Sequence, residues 1–246
     1  MWSINTCRSR HVARFDFSLH LMNMENPFEA GQVILINKPL HWTSADVVKK
    51  IRNLVNVKVG HAGTLDPLAT GLLILCTGKF TKKINTYMSQ EKEYTGTITI
   101  GATTPSYDLE NEPGNFKDYS EVTDLQIQAI ARQFTGEIMQ VPPAYSAIKK
   151  NGQRAYDLAR QGKPVTLELR KITIRAFEMQ SAQLPVIDFR VVCSTGTYIR
   201  SLAYDVGEAL GCGAYLSKLC RTRIGEYALE EALTMEEAEE KFKMDN

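Results

Sequence analysis

The stretch GHAGTLDPLATG, residues 60–71, sets one carboxylate, Asp66, among glycines, threonines and a histidine, and runs straight into the apolar Leu72-Leu73-Ile74-Leu75. Glycine lets a backbone turn sharply or come close to another group. The apolar run behind it reads as a short buried strand. Asp66 is the residue here best suited to covalent or acid–base chemistry. An aspartate before Pro67 equally suits a plain turn cap.

Working outward, residues 32–37 (QVILIN) read as a buried strand, and Thr43-Ser44 caps a helix over SADVVKKIRNLV, residues 44–55. Residues 80–89 read as helix, and 93–100 (EYTGTITI) alternate as a half-buried strand does. Residues 101–120 are turn-rich, and Thr123-Asp124 starts a helix to about Phe134. Pro142-Pro143 interrupts the chain, and a polar, basic segment with one helical turn near residues 155–160 follows to about Pro164. Strands are predicted near 170–180 and 186–193. A helix opened by Gly196 and closed by Gly211 comes next, then a strand over 214–223 and an acidic end with a short helix at most. There is no internal repeat. Strands outnumber what a regular βαβ alternation supplies, so the fold class is α+β with a mixed sheet.

The chain has 246 residues, 43% hydrophobic and 23% charged, which suits a globular protein with a sizeable core. No apolar run approaches the ~18 residues that span a membrane. Five scattered cysteines form no C-x-x-C pair, so reduced thiols are expected, with neither zinc site nor disulfide framework. The four histidines, at 11, 20, 41 and 61, are too far apart to suggest a metal site. Residues 1–24 carry Arg8, Arg10 and Arg14 without a long apolar run and read as a detachable leader or an over-extended start.

The net charge of +1 conceals an uneven distribution. Residues 226–246 hold eight of the 28 acids and two of the 29 basic residues; the rest of the chain keeps 20 and 27, a net of +7. Eight Lys and Arg against Asp157 and Glu168 lie between Ser146 and Arg175. Such a cluster attracts phosphates by a salt-sensitive force. An ordinary solvated face fits the charge equally well.

Six ordered blocks carry a resemblance that no single residue does: NKPLHWTS (37–44), VGHAGTLDPLATGLLILCTGKFTK (59–82), KEYTGTITIGATTPSYD (92–108), QVPPAYSAIKKNGQRAYDLARQG (140–162), CSTGTYIRSLAYDVGEALG (193–211) and LCRTRIGEY (219–227). Together they cover roughly residues 31–227, and the chain resembles the TruB family of tRNA pseudouridine synthases. The resemblance implies a pseudouridine synthase fold: a central mixed, mostly antiparallel sheet flanked by helices, with an inserted RNA-binding thumb over about residues 142–175. The catalytic domain would cover 25–228, and 229–246 would form an acidic C-terminal tail.

The resemblance also implies roles. Asp66 of the G-T-L-D motif is the expected nucleophile that frees uracil from its ribose and lets it reattach through carbon, splitting one hard step into two. A uridine in a folded RNA loop must first be flipped out. Tyr94 is expected to lie under the flipped base, Tyr198 and Leu219 to line the pocket, and His61 to take the place the base vacates. Arg200 of G-T-Y-I-R is expected to pair with Asp66, and Lys38 and Pro39 to support the floor. Lys149, Lys150, Arg154, Arg160 and Lys163 of the thumb are expected to meet phosphates, which position RNA without reading its sequence. The implied reaction needs neither metal nor other cofactor. The implied protein is a cytoplasmic monomer that meets no membrane, and its partner is the T-arm stem-loop of tRNA, modified at position 55. A non-catalytic tRNA-binding folding chaperone is the alternative; the presence of both Asp66 and Arg200 favours the enzyme. A glycosylase or glycoside hydrolase is disfavoured, because it wants a second carboxylate and no second acid lies near Asp66 in the matched motifs apart from Asp108.

Three departures from the family pattern stand out. His41 occupies a position usually held by glycine, and Pro105-Ser106 replaces the usual Asp-Thr. The residues after RTRIGEY leave no room for the RNA-binding PUA domain that many relatives carry, so a stand-alone enzyme is expected rather than a guide-RNA one.

Overall fold

The first strand, β1 (Val33–Lys38), buries alternate residues, so Ile34 and Ile36 face the core together with Lys38. This computed structural model describes residues 26–146, 148–150 and 152–244, with Lys149, Lys150, Ala182 and Met244 described by backbone alone. The leader expected over residues 1–24 lies outside the described residues.

A four-residue helix, α1 (Pro27–Ala30), precedes β1. After it come α2 (Ser44–Val55), β2 (Val59–His61) and β3 (Ala69–Thr77), then a 3-10 turn (Gly78–Lys83) leading into α3 (Ile84–Met88) and β4 (Lys92–Ile100). The middle of the chain forms α4 (Asp124–Gln133), β5 (Gly136–Gln140), the short pair β6 (Lys149–Lys150) and β7 (Gln153–Arg154), and α5 (Ala155–Arg160). The rest forms β8 (Arg170–Gln183), β9 (Val186–Cys193), α6 (Ile199–Leu210), β10 (Ala214–Ile224), β11 (Tyr227–Ala228) and α7 (Met235–Met244).

The nine-stranded sheet runs β1-β3-β10-β4-β9-β8-β5, with β2 also beside β3 and β11 beside β10. The β3–β10 pair is parallel and all the other strand pairs are antiparallel. The expected α+β architecture with a mixed, mostly antiparallel sheet is therefore the observed one.

Burial explains the pattern of β3. Leu73 and Leu75 pack with Val47, Ile51 and Val55 of α2, while Leu72, Ile74 and Cys76 pack into a separate cluster with Ala62 and Ile224. A strand covered on both faces reads as a continuous apolar run. A larger core lies under α4 and α6, where Ile127, Leu202 and Val206 meet Ile98, Phe177 and Phe189 of the sheet.

The acidic C-terminal stretch is not solvated throughout. Met235, Ala238 and Phe242 of α7 are buried beside α2, and Phe242 meets Phe28 edge-on at 5.3 Å. Glu236, Glu237 and Glu240 are exposed, while Glu239, at the edge of the contact with α2, pairs with Lys50 at 2.7 Å.

Gly71 in β3 has φ +104°, and a Cβ there would stand 2.6 Å from the backbone nitrogen of Arg221 and closer still to its carbonyl oxygen. The glycine admits the neighbouring strand, since Gly71 is the register partner of Arg221 across the parallel pair. The chain leaves the sheet after Gln140 and rejoins it at Arg170, so residues 170–175 of the expected thumb are sheet.

Candidate active site

Asp66 stands at the entry to β3, in a loop fastened from several sides. Its own carbonyl accepts the Ala69 N–H at 3.0 Å, closing a turn. The His41 N–H donates to Pro67 O at 2.8 Å, joining the loop to the turn after β1. That turn is held by Lys38, whose Nζ donates to Pro39 O at 2.8 Å and Trp42 O at 2.6 Å. Thr43 and Asp46 form a reciprocal capping box that fixes the start of α2. The next residue, Ser44, reaches across to the backbone of Leu65.

Arg200, in the first turn of α6, brings the far part of the chain to this loop. Its Nε lies 2.9 Å from Asp66 Oδ2 and 3.6 Å from Asp108 Oδ2. Its terminal nitrogens donate to Ser106 O at 3.2 Å and Tyr145 O at 2.9 Å. The guanidinium is thus buried, with its donors spread over two carboxylates and two carbonyls. Asp108 is held in turn by the Glu110 N–H at 3.0 Å on Oδ1. The Pro105-Ser106 departure does not remove the tie to Arg200, because a main-chain carbonyl makes it. The Ser106 and Thr104 hydroxyls both donate to Asp108 O and tighten the loop.

The Asp66 side chain keeps 42% of its surface accessible, so its carboxylate can be reached. Desolvation in the cleft nevertheless raises its pKa from the usual carboxylate value; Arg200 opposes this, and Asp108 and Glu110 add to it. The cleft is lined by Leu68, Asp108, Leu109, Arg200 and Leu219 around Asp66. Through Leu68, Ser217, Lys218 and Leu219 it borders a groove of about 1050 Å³ on the sheet.

Below the loop lies a group of basic residues that composition alone does not reveal. Arg221 is 1% exposed and donates from Nε to Leu72 O at 2.8 Å and from Nη2 to Gly63 O at 3.0 Å. Among the described residues no carboxylate lies within ion-pair distance of it. Lys92 Nζ donates to Met88 O and Gln90 O at 2.8 and 2.7 Å. Burial lowers the pKa of Lys38 and of Lys92 to about 8; for Lys38 the Asp66 charge pushes back up. These cations clamp main-chain carbonyls, Arg221 holding Gly63 of the loop, and Lys38 brings its charge near Asp66. Arg221 lies within a matched sequence block, but a basic residue in a strand ordinarily reads as surface.

Leu219 lines the Asp66 cleft. Tyr94 is buried on β4 as the register partner of Arg221; burial raises its phenol pKa and Arg221 opposes the rise. His61 is half-buried on β2, its Nδ1 enclosed without a hydrogen-bond partner, and burial followed by Arg221 lowers its pKa. Tyr198 immediately precedes α6, with both backbone groups bound by Gln140.

In the thumb, Arg154 donates to the Tyr156 hydroxyl at 3.3 Å, and Arg160 is paired with Glu110 at 2.6 Å. Lys163 is exposed just beyond α5. The side chains of Lys149 and Lys150 lie outside the described residues, as do Cys7, His11 and His20. Among the described residues, no group of three or more His, Cys, Asp or Glu side chains gathers as metal ligands would.

Two family models match adjoining parts of the chain. The model described as TruB family pseudouridylate synthase (N terminal domain) matches residues 49–199. The model described as tRNA pseudouridylate synthase B C-terminal domain matches residues 200–246. A protein named tRNA pseudouridine synthase B from Flavobacterium johnsoniae is 52% identical over 221 residues, covering 87% of this chain and 96% of that protein. One of the same name from Parabacteroides distasonis is 48% identical over 220 residues, covering 87% and 94%. Among solved structures, a Cbf5-Nop10-Gar1 complex matches with TM-score 0.67 and 31% identity, over 85% of this chain and 53% of the other. An H/ACA RNP bound to a substrate RNA containing 2'-deoxyuridine matches with TM-score 0.63 and 28% identity, over 85% and 52%. The chain thus spans about half the length of those two structures. With the paired Asp66 and Arg200 inside the matched regions, these likenesses establish that the chain belongs to the TruB family of pseudouridylate synthases.

Proposed function

We propose that this protein isomerises uridine to pseudouridine at position 55 in the T-loop of tRNA, with Asp66 as the nucleophile. The observation that carries this reading is the Asp66–Arg200 pair at 2.9 Å, reachable from the cleft and walled by Leu219. The substrate follows from relatives about 50% identical that are named for tRNA.

The reaction is an isomerisation. The N1–C1′ glycosidic bond breaks, a C5–C1′ bond forms, C5 loses a proton and N1 carries one in the product. Nothing is oxidised or hydrolysed. Asp66 must be ionised to act, and Arg200 favours that form as a nearby opposite charge. Its contacts to Ser106 O and Tyr145 O fix the direction of the guanidinium, so the carboxylate is pre-aimed. Leu219 offers an apolar surface to a base flipped into the cleft. Tyr198 stands at the start of the helix that carries Arg200. Tyr94 and His61 belong to the buried framework around Arg221; in this reading Tyr94 lies under the flipped base and His61 takes the place that the base vacates.

The reading extends to a cytoplasmic monomer whose thumb grips the T-arm stem-loop through Lys149, Lys150, Arg154, Arg160 and Lys163. Among the described residues, no helix is long and apolar enough to cross a membrane. The deciding experiment is incubation with unmodified tRNA transcript and mapping of pseudouridine, with Asp66→Asn alongside. Product at position 55 with wild type and none with the variant is expected. Binding without product from wild type favours the folding chaperone instead.

A further inference from the structure

Gln140 closes β5 and is the last residue before the chain leaves the sheet for the thumb. It is 2% exposed, and both ends of its amide are used on one residue. Its Nε2 donates to Tyr198 O at 3.1 Å, and its Oε1 accepts the Tyr198 N–H at 2.8 Å. The side chain thus acts as one more rung of a strand pair, holding the residue that enters α6. Tyr198 supplies no side-chain cap to that helix, and Arg200 follows two positions later.

The neighbouring contacts point the same way. Ser201 Oγ donates to Val141 O at 2.8 Å, and Arg200 itself donates to Tyr145 O. Residues 140, 141 and 145 at the thumb root therefore hold residues 198, 201 and 200 at the head of the helix. An amide fits both backbone groups of Tyr198 because it carries a donor and an acceptor side by side. Gln140 is not part of the lining of the Asp66 cleft, and its amide bonds go to Tyr198.

We propose that Gln140 is a positioning residue, which sets Arg200 against Asp66 from the root of the thumb. The proposal rests on the reading of Asp66 and Arg200 as the reacting pair. A misplacement of about 1 Å in such a pair costs roughly 100-fold in rate. Because Arg200 is the cation that opposes the raised pKa of Asp66, a loosened Arg200 also moves the titration of Asp66.

The test compares wild type, Gln140→Met and Gln140→Asn in single-turnover kinetics on tRNA transcript across pH, with tRNA affinity measured in parallel. Gln140→Met keeps the length and loses both bonds. Gln140→Asn keeps the amide one methylene short and serves if the methionine variant does not fold. The expected result is a roughly 10- to 100-fold fall in the rate of the chemical step, tRNA affinity within about threefold, and an acid limb moved to higher pH. A rate within twofold of wild type overturns the proposal. So does a lower rate with an unmoved acid limb, because loss of folded enzyme alone produces that. Asp66→Asn, run beside them, separates the two readings: turnover by that variant sinks the assignment of the pair, whereas an inactive Asp66→Asn with unaffected Gln140 variants sinks only the positioning role.

Discussion

Ser44 Oγ donates to Leu65 O at 3.1 Å and accepts the Leu65 N–H at 2.9 Å, so one hydroxyl satisfies both backbone groups of the residue before Asp66. Ser44 is the first residue of α2 and is itself buried. The helix therefore serves the site through a loop that it grips, and Asp66 inherits the rigidity of a packed element.

Ser44→Ala leaves a buried N–H and a buried carbonyl without partners, at about 1–3 kcal/mol for an unsatisfied group. For a chain of this size that predicts a Tm lower by several degrees. Pseudouridine formation is expected to slow more than tRNA binding weakens. Thermal unfolding and single-turnover rates check both parts; unchanged rates alongside a lowered Tm would confine Ser44 to stability.

The raised pKa of Asp66 sets the direction of two pH effects. Since only the carboxylate is nucleophilic, kcat/KM is expected to fall on the acid side at a pH above the ordinary carboxylate range. Stability runs the other way. The native state holds the Asp66 proton more tightly than the unfolded chain, so the stability that this group contributes is lost as pH rises through its native pKa. Asp66→Asn is therefore expected to be inactive yet equal or higher in Tm at pH 7, with the difference shrinking as pH falls below the ordinary carboxylate range, where both side chains become neutral. A clearly lower Tm at pH 7 would contradict this.

Gly71→Ala sets a methyl group against the backbone of Arg221, at a φ of +104° that other residues rarely adopt. Overlap alone costs about 1–3 kcal/mol. The strain falls on the parallel β3–β10 pair, two residues from Ala69, which is the partner of Leu219. Loss of both thermal stability and turnover is expected, measured on the same preparation. A variant with wild-type Tm would show that the two strands separate at little cost.

Arg160 pairs with Glu110, yet a phosphate must claim the same guanidinium if the thumb grips RNA. Exposed pairs of this kind contribute about 0.2–1 kcal/mol. Glu110→Gln is therefore expected to tighten tRNA binding by up to about fivefold. Arg160→Ala is expected to weaken binding and reduce the slope of log K against log salt by about 0.7–0.9. Titrations over a salt series decide; an unchanged slope for Arg160→Ala means that this residue does not meet phosphate.

Legibility in the sequence followed the strength of local signals. The predicted bounds of α2 agree because Thr43, Asp46 and the apolar spacing all mark them. The predicted end of α6 agrees because Gly211 takes a left-handed C-cap. The expectation that Gly196 opens α6 is off by two positions, since Gln140 and not a local cap defines its start. Strands β2, β5, β6, β7 and β11 are two to five residues long and carry too few alternations to read. For the site, Asp66 and Arg200 were legible through extended motifs, since no periodicity relates residues so far apart. Arg221, Lys38 and Lys92 were not legible as clamps, because their partners are carbonyls and every residue has one. Gln140 lay in a matched block without a role, and only the approach of Tyr198 gives it one.

The parallel pairing of β3 with β10 also bears on when the site comes into being. Hydrogen bonds from Arg221 to Leu72 O and from Thr70 to Leu219 O join residues 149 apart in sequence. At a synthesis rate of roughly 5–20 residues per second, that separation corresponds to about 7–30 s on the ribosome. Through that interval the growing chain has Asp66 but lacks the Leu219 wall and the Arg221 clamp, and during most of it Arg200 as well. Contacts so distant in sequence are slow to close. A chain still being made therefore carries Asp66 without the residues that enclose it, and the cleft is completed only once β10 has been made.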